Sequence, residues 1–165
     1  MAVYALGSYA QKGDLYLGAA GGYITNYKGA VYGLNVSYHL TDPLEVSLTG
    51  LMNPEIKGDV DTPDETTIKM YSVNLDFRFY MVLQRNWATG PVIGGQYSYL
   101  DKNYIKYPIN NQYYLNVAGF NMGWHLRGNL TENLKLNGGW RYTTANQNAS
   151  HHLFYVGLGY TFSLY

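Results

Sequence analysis

Between Phe154 and Leu164 the chain alternates without a fault. Phe154, Val156, Leu158, Tyr160, Phe162 and Leu164 fall on one side, and Tyr155, Gly157, Gly159, Thr161 and Ser163 on the other. A period of two is that of an extended strand with one apolar face. About eleven residues at roughly 3.3 Å each is the length a tilted strand needs to cross a bilayer core. A strand this apolar at a chain end pairs with other chains unless both its edges are occupied. Pairing it with the first strand closes a barrel and removes both edges. The rest of the chain reads as the other strands of that barrel.

Seven further alternating segments precede it. They run from about Asp14 to Thr25, Ala30 to Leu40, Leu44 to Met52, Ile68 to Val82, Pro91 to Leu100, Gln112 to Arg127 and Leu134 to Thr144. Thr41-Asp42-Pro43 has turn chemistry. Gln84–Gly90 and Gly128–Asn133 read as further turns, whereas the breaks at Asn53–Thr67 and Asp101–Asn111 are longer. In the sixth segment Leu115 and Val117 are out of phase with Phe120, Met122, Trp124 and Leu126, which predicts a bulge near Ala118-Gly119. An even strand number with short turns at one end and longer loops at the other is the asymmetry of transmembrane barrels. The expected fold is therefore all-β, an eight-stranded antiparallel up-and-down transmembrane barrel with both termini periplasmic.

Residues 1–10 do not alternate. They are apolar, uncharged and end in Ser8-Tyr9-Ala10, the small-residue pattern of an export cleavage site. They read as a signal-peptide remnant or a short tail, with the barrel domain over residues 11–165. The 165 residues leave room for one domain. Eleven basic residues balance eleven acidic ones, which argues against nucleic acid as a partner. The absence of cysteine excludes disulfides and thiolate metal sites. Tyrosine and glycine at 19 each, with 13% charged residues, favour strands and turns over helices. No run of apolar residues is long enough for a transmembrane helix, and a membrane strand would not produce one. The mean hydropathy of −0.24 fits a barrel with a polar interior.

Alternation does not say which face is inside. A soluble ligand-binding barrel keeps its apolar residues within, and a membrane barrel inverts this. Side-chain size decides between them. The polar face is rich in small residues, among them Gly18, Ala20, Gly33, Ser37, Ser47, Ser72, Gly94, Ser98, Gly157 and Gly159, and a narrow interior requires such residues. The apolar face carries Tyr38, Tyr71, Phe77, Phe79, Tyr97, Tyr99, Trp124, Trp140, Tyr142, Tyr160 and Phe162, which are too bulky to share one eight-stranded interior. These are the expected lipid-facing aromatics, several near strand ends as in interfacial girdles.

Three short stretches carry a resemblance. They are the paired turns Leu40-Thr41-Asp42-Pro43-Leu44 and Leu130-Thr131-Glu132-Asn133-Leu134, the opening Gly13-Asp14-Leu15-Tyr16-Leu17-Gly18, and Gly159-Tyr160-Thr161-Phe162 near the end. With these the chain, over residues 11 to 165, resembles the small eight-stranded outer-membrane barrels related to the OmpA membrane domain, OmpX and OmpW. The resemblance implies a bacterial cell outer membrane location, outer-membrane lipids and lipopolysaccharide as surroundings, and a monomer. It also implies assembly machinery that reads the last strand, where Phe162 and Leu164 hold the outward phase and Tyr165 lies one residue beyond.

The inward polar set comprises His39, Glu45, Asp76, Arg78, His125, Arg127, Lys135 and Arg141. Buried charges must be paired or hydrated. They read as a structural ion-pair network filling a closed lumen, with a porin-like gate for small solutes as the alternative. Ser150-His151-His152 is the one candidate for acyl transfer, by analogy with lipid A-modifying barrels, but it lacks the His-x-Ser strand pattern of the deacylases. The acidic stretch Asp59–Glu65 could bridge to lipopolysaccharide through divalent ions, yet it lacks the spacing of a dedicated calcium loop. No catalytic residue, cofactor or metal is therefore expected. The functional expectation is a structural or surface-interaction role, in membrane integrity or adhesion.

Overall fold

The computed structural model describes residues 12–25, 29–57, 67–84, 86–100, 116–145 and 150–164. The proposed signal remnant and the acidic stretch at Asp59–Glu65 lie outside the described residues. Nine strands follow in chain order: β1 (Asp14–Ile24), β2 (Gly29–Thr41), β3 (Leu44–Lys57), β4 (Thr67–Phe79), β5 (Met81–Gln84), β6 (Trp87–Leu100), β7 (Asn116–Asn129), β8 (Leu134–Ala145) and β9 (His151–Ser163). β4 and β5 are one stave interrupted at Tyr80, since both pair with β6 in a continuous register. The interruption falls opposite Gly90 and Pro91, and Pro91 has no N–H to give the ladder. Each stave pairs antiparallel with its sequence neighbour, and β1 pairs with β9, so eight staves close into a barrel.

The ladder is staggered. From Leu15 the partners run through Tyr38, Val46, Phe77, Ile93, Met122 and Tyr142 to His152. The His152 carbonyl then accepts the amide of Thr25, ten residues further along the chain than Leu15. Eight staves with this stagger give a tilt of about 40° and a backbone radius of about 8 Å from ordinary strand spacings. A 13-residue stave at that tilt rises about 30 Å, the thickness of a bilayer core.

Two details differ from expectation. β7 pairs with β6 and β8 without a register shift, so the bulge expected near Ala118-Gly119 is absent. The phase conflict has another cause: Val117 faces the interior at the loop end, where the lining becomes apolar. The turn expected over Gln84–Gly90 is shorter, because β6 begins at Trp87 and accommodates Pro91 within the strand. Real irregularities lie between Asn53 and Ile56, around Pro54, and beside the turns at Thr41 and Gln84.

Outward residues are aliphatic at mid-height, as at Leu34 (71% exposed), Leu48, Leu75, Val156 and Leu158. Tyr38, Phe77, Phe79, Trp124, Tyr160 and Phe162 point outward toward the end with the short turns. Tyr71, Tyr97, Tyr99, Trp140 and Tyr142 do so toward the other end. Tyr38 and Tyr142 are half-buried and the others are exposed. Asp14 and Ser163 pair at the turn end, so the two ends of the described barrel meet there.

Candidate functional site: the barrel lumen

The register brings the inward polar residues together. His39 faces Glu45 across β2–β3, Glu45 faces Arg78 across β3–β4, and Arg127 faces Asn137 across β7–β8. Glu45, fully buried, is the hub. Its Oε1 accepts from Arg78 Nη1 at 3.0 Å and from the Tyr80 hydroxyl at 3.3 Å. Its Oε2 accepts from Arg127 Nη1 at 2.6 Å, and His39 Nε2 lies 2.9 Å away. Arg127 reaches Glu45 across the lumen, three staves around the ring. Its guanidinium lies between the rings of Tyr16 and Tyr80, 4.8 and 4.9 Å from their centroids. Its Nε donates to Asn137 Oδ1 at 2.8 Å, and Asn137 donates to the Tyr16 hydroxyl at 2.5 Å.

A second cluster centres on Asp76, also fully buried. Asp76 pairs with Arg141, again three staves away, and accepts from Asn121 Nδ2 at 3.1 Å. Asn121 reaches it over Gly94, which partners both residues in the ladder; a Cβ there would crowd Asp76 Oδ1 at 2.5 Å. Thr143 and Gln96 continue the chain of hydrogen bonds to Ser98. A column of rings joins the clusters: His39, Tyr80, His125 and Tyr155, with successive centroids 5.5, 5.5 and 6.2 Å apart. Lys135 is buried at the turn end, its ammonium donating to the Glu132 carbonyl at 2.6 Å. All eight expected lumen residues are thus inside, and seven of them belong to the two linked clusters.

Three inward tyrosines, Tyr16, Tyr80 and Tyr155, are central to this packing and were not among the expected site residues. Tyr16 fits because Gly18 and Gly159 beside it have no side chain; a Cβ at either would overlap its hydroxyl. Alanine at Gly159 therefore displaces the Tyr16 ring and loosens Arg127. The expected cost is about 1–3 kcal/mol, the usual range for overpacking. The urea midpoint in micelles reads it, and alanine at Gly50, whose Cβ would meet nothing within 4 Å, does not lower that midpoint.

At the loop end the lining changes. Ile24, Val31, Leu51, Met70 and Leu153 are buried and pack together inside the barrel. Ser150 Oγ bonds the amide and carbonyl of Ala145 at the base of the last connection. His151 is buried, whereas the next residue, His152, faces outward and accepts from Trp140 Nε1 at 3.1 Å. The two imidazoles therefore lie on opposite faces of the wall. Among the described residues no cluster of His, Asp and Glu has the arrangement of a metal site.

No protein-family model and no curated protein matches the chain. Solved structures do. The N-terminal barrel domain of Pseudomonas aeruginosa OprF is 16% identical with a TM-score of 0.67, over 93% of this chain and 100% of that one. The outer membrane protein OprG of the same organism is 14% identical with a TM-score of 0.63, over 94% and 98%. Ail, the attachment invasion locus protein of Yersinia pestis, is 14% identical with a TM-score of 0.60, over 92% and 100%. The fold is that of the small eight-stranded outer-membrane β-barrels. At these identities an outer-membrane barrel fold is what the likeness establishes. A barrel of this fold presents two surfaces for work, its outer wall and its loop end, and an interior packed with side chains.

Proposed function

We propose that this chain is an integral outer-membrane barrel with a closed lumen and a structural or surface-interaction role. The membrane holds its apolar wall, its termini and short turns face the periplasm, and the four connections at the other end meet the exterior. The observation that carries this reading is the lumen itself. Ion pairs cross it at Glu45–Arg127 and Asp76–Arg141, and the apolar layer of Ile24, Val31, Leu51, Met70 and Leu153 lies at its loop end. A lumen filled in this way leaves solute passage no path and places the protein's work on its outside. The name of Ail, attachment invasion locus protein, supports adhesion as one form of that work. Outer-membrane lipids and lipopolysaccharide are the partners of the wall, and the outward Phe162 and Leu164 of the last strand suit recognition during assembly. The protein acts as a monomer. Catalysis has no place in this reading, since Ser150 holds the base of a loop and His151 and His152 point apart.

Refolding into micelles tests it. The expected result is a β-type circular dichroism spectrum only with detergent, a mobility shift on boiling, and no stepwise conductance in a planar bilayer. Unit conductance steps would replace the closed lumen by a small-solute channel. A monodisperse folded protein in plain buffer would overturn the membrane reading and point to a ligand within a soluble barrel.

A further inference from the structure

Among the described residues the lumen does not balance its charge. Three buried guanidiniums, those of Arg78, Arg127 and Arg141, share two buried carboxylates, Glu45 and Asp76. Glu45 is divided between Arg78 and Arg127, so the pairing leaves one positive charge in excess. Asp14 and Lys135, both buried toward the turn end, are of opposite sign and do not alter the count. His39 and His125 can only add to it. A charge buried without a counter-charge is costly, and the protein must supply one or admit one.

A cavity of about 30 Å3 lies where the cationic cluster meets the apolar layer. Arg78, Arg141 and His125 line it together with Val31, Leu51 and Leu153, and no carboxylate among the described residues does. Ala20 and Gly157, on β1 and β9, are part of its wall. Arg78 Nε, Arg141 Nε and His125 Nε2 are buried and have no hydrogen-bond partner among the described residues. Both arginines spend a terminal nitrogen on a carboxylate and keep the inner one unspent. The space holds about two water-sized particles, or one monatomic anion, and is too small for a tetrahedral oxyanion.

We propose that this cavity binds one monovalent inorganic anion of chloride's size, held by the guanidinium edges of Arg78 and Arg141 and by His125. Water could accept the three donors as well, but a neutral molecule leaves the excess charge in place. The anion answers both needs, and its apolar roof of Val31, Leu51 and Leu153 shields it from exchange. The site is independent of the role assigned to the outer surface.

Bromide is the probe. Crystals of the micelle-refolded barrel grown in sodium bromide, with data collected at the bromine edge, should show one anomalous peak in the cavity. It should lie about 3.2–3.5 Å from the guanidinium nitrogens, slightly longer than an N–H···O bond. In solution, the thermal midpoint should fall when chloride is exchanged for gluconate at constant ionic strength, and recover with bromide. Ala20→Val fills the cavity from the wall while replacing no member of either ion pair, and should abolish both the peak and the anion dependence. A cavity holding water alone overturns the proposal. So does a bromide peak with no midpoint change, which would mark an adventitious ion only, and so does an anion dependence that survives in Ala20→Val.

Discussion

Glutamine at position 45 lowers the unfolding free energy of the barrel by about 3–5 kcal/mol, the cost of breaking a buried pair by removing one partner. The size follows from geometry. Glu45 is the counter-charge of both Arg78 and Arg127, and it is fully buried, so solvent screens nothing when its charge is removed. Two guanidiniums then remain in the interior without a carboxylate. Asparagine at Asp76 strips a single guanidinium, that of Arg141, and should cost less. The urea midpoint of refolded protein in micelles gives the ranking. Adding Arg127→Met to Glu45→Gln should restore part of the loss, because it removes one of the stranded charges. Equal midpoints for the wild type and Glu45→Gln would mean that water already shares the site, and the lumen could not be called closed.

Arginine at Leu75 should cost about 2–4 kcal/mol, the depth-dependent cost of a cation on the lipid face at mid-membrane. Leu75 is half exposed, sits at mid-height of its stave and pairs with Leu48 and Gly95, so nothing in the barrel shelters a charge there. Arginine at Phe162, beside the turn end, should cost only about 0–1 kcal/mol. The comparison decides which face is lipid. In a soluble barrel both outward positions meet water, and the two substitutions would be equally mild. Refolding yield into lipid vesicles, measured for the pair, separates the cases. A steep dependence on height is a property of a bilayer and of no aqueous surface.

Much of this architecture is legible in the sequence, because strand phase is local. The alternation from Phe154 to Leu164 or from Tyr71 to Met81 assigns each side chain to a face before any partner is known. That is why His39, Glu45, Asp76, Arg78, His125, Arg127, Lys135 and Arg141 could be placed inside together. The pairing of Arg127 with Glu45 was not legible. It depends on the ten-residue stagger, which is a sum over every seam of the ring and belongs to no single hairpin. The inward tyrosines were obscured for a related reason. Strand phase puts Tyr155 on the inward side, but the interior was expected to be filled by small residues, whereas Tyr16 occupies interior room that Gly18 and Gly159 provide from its own strand and a neighbouring one. The apolar layer was hidden because Val31, Leu51 and Leu153 keep the inward phase while their chemistry points outward. Pro91 read as the start of a strand, although the partner stave absorbs its missing donor by breaking at Tyr80.

Of the eight seams in the ring, seven join staves that follow one another in the chain. The eighth sets Asp14 beside Ser163 and Leu17 beside Tyr160. Hairpins can form as soon as their two strands exist, but this seam must wait for almost the whole described chain to be in place. Until then the nascent sheet carries two free edges, one of them the most regularly apolar strand in the molecule. The Arg127–Tyr16–Asn137 contact lies against that same junction. Closure is therefore late, and it is what seats Tyr16 against Arg127 and Asn137. The interval before it is when a partly built sheet is most exposed to neighbours of its own kind.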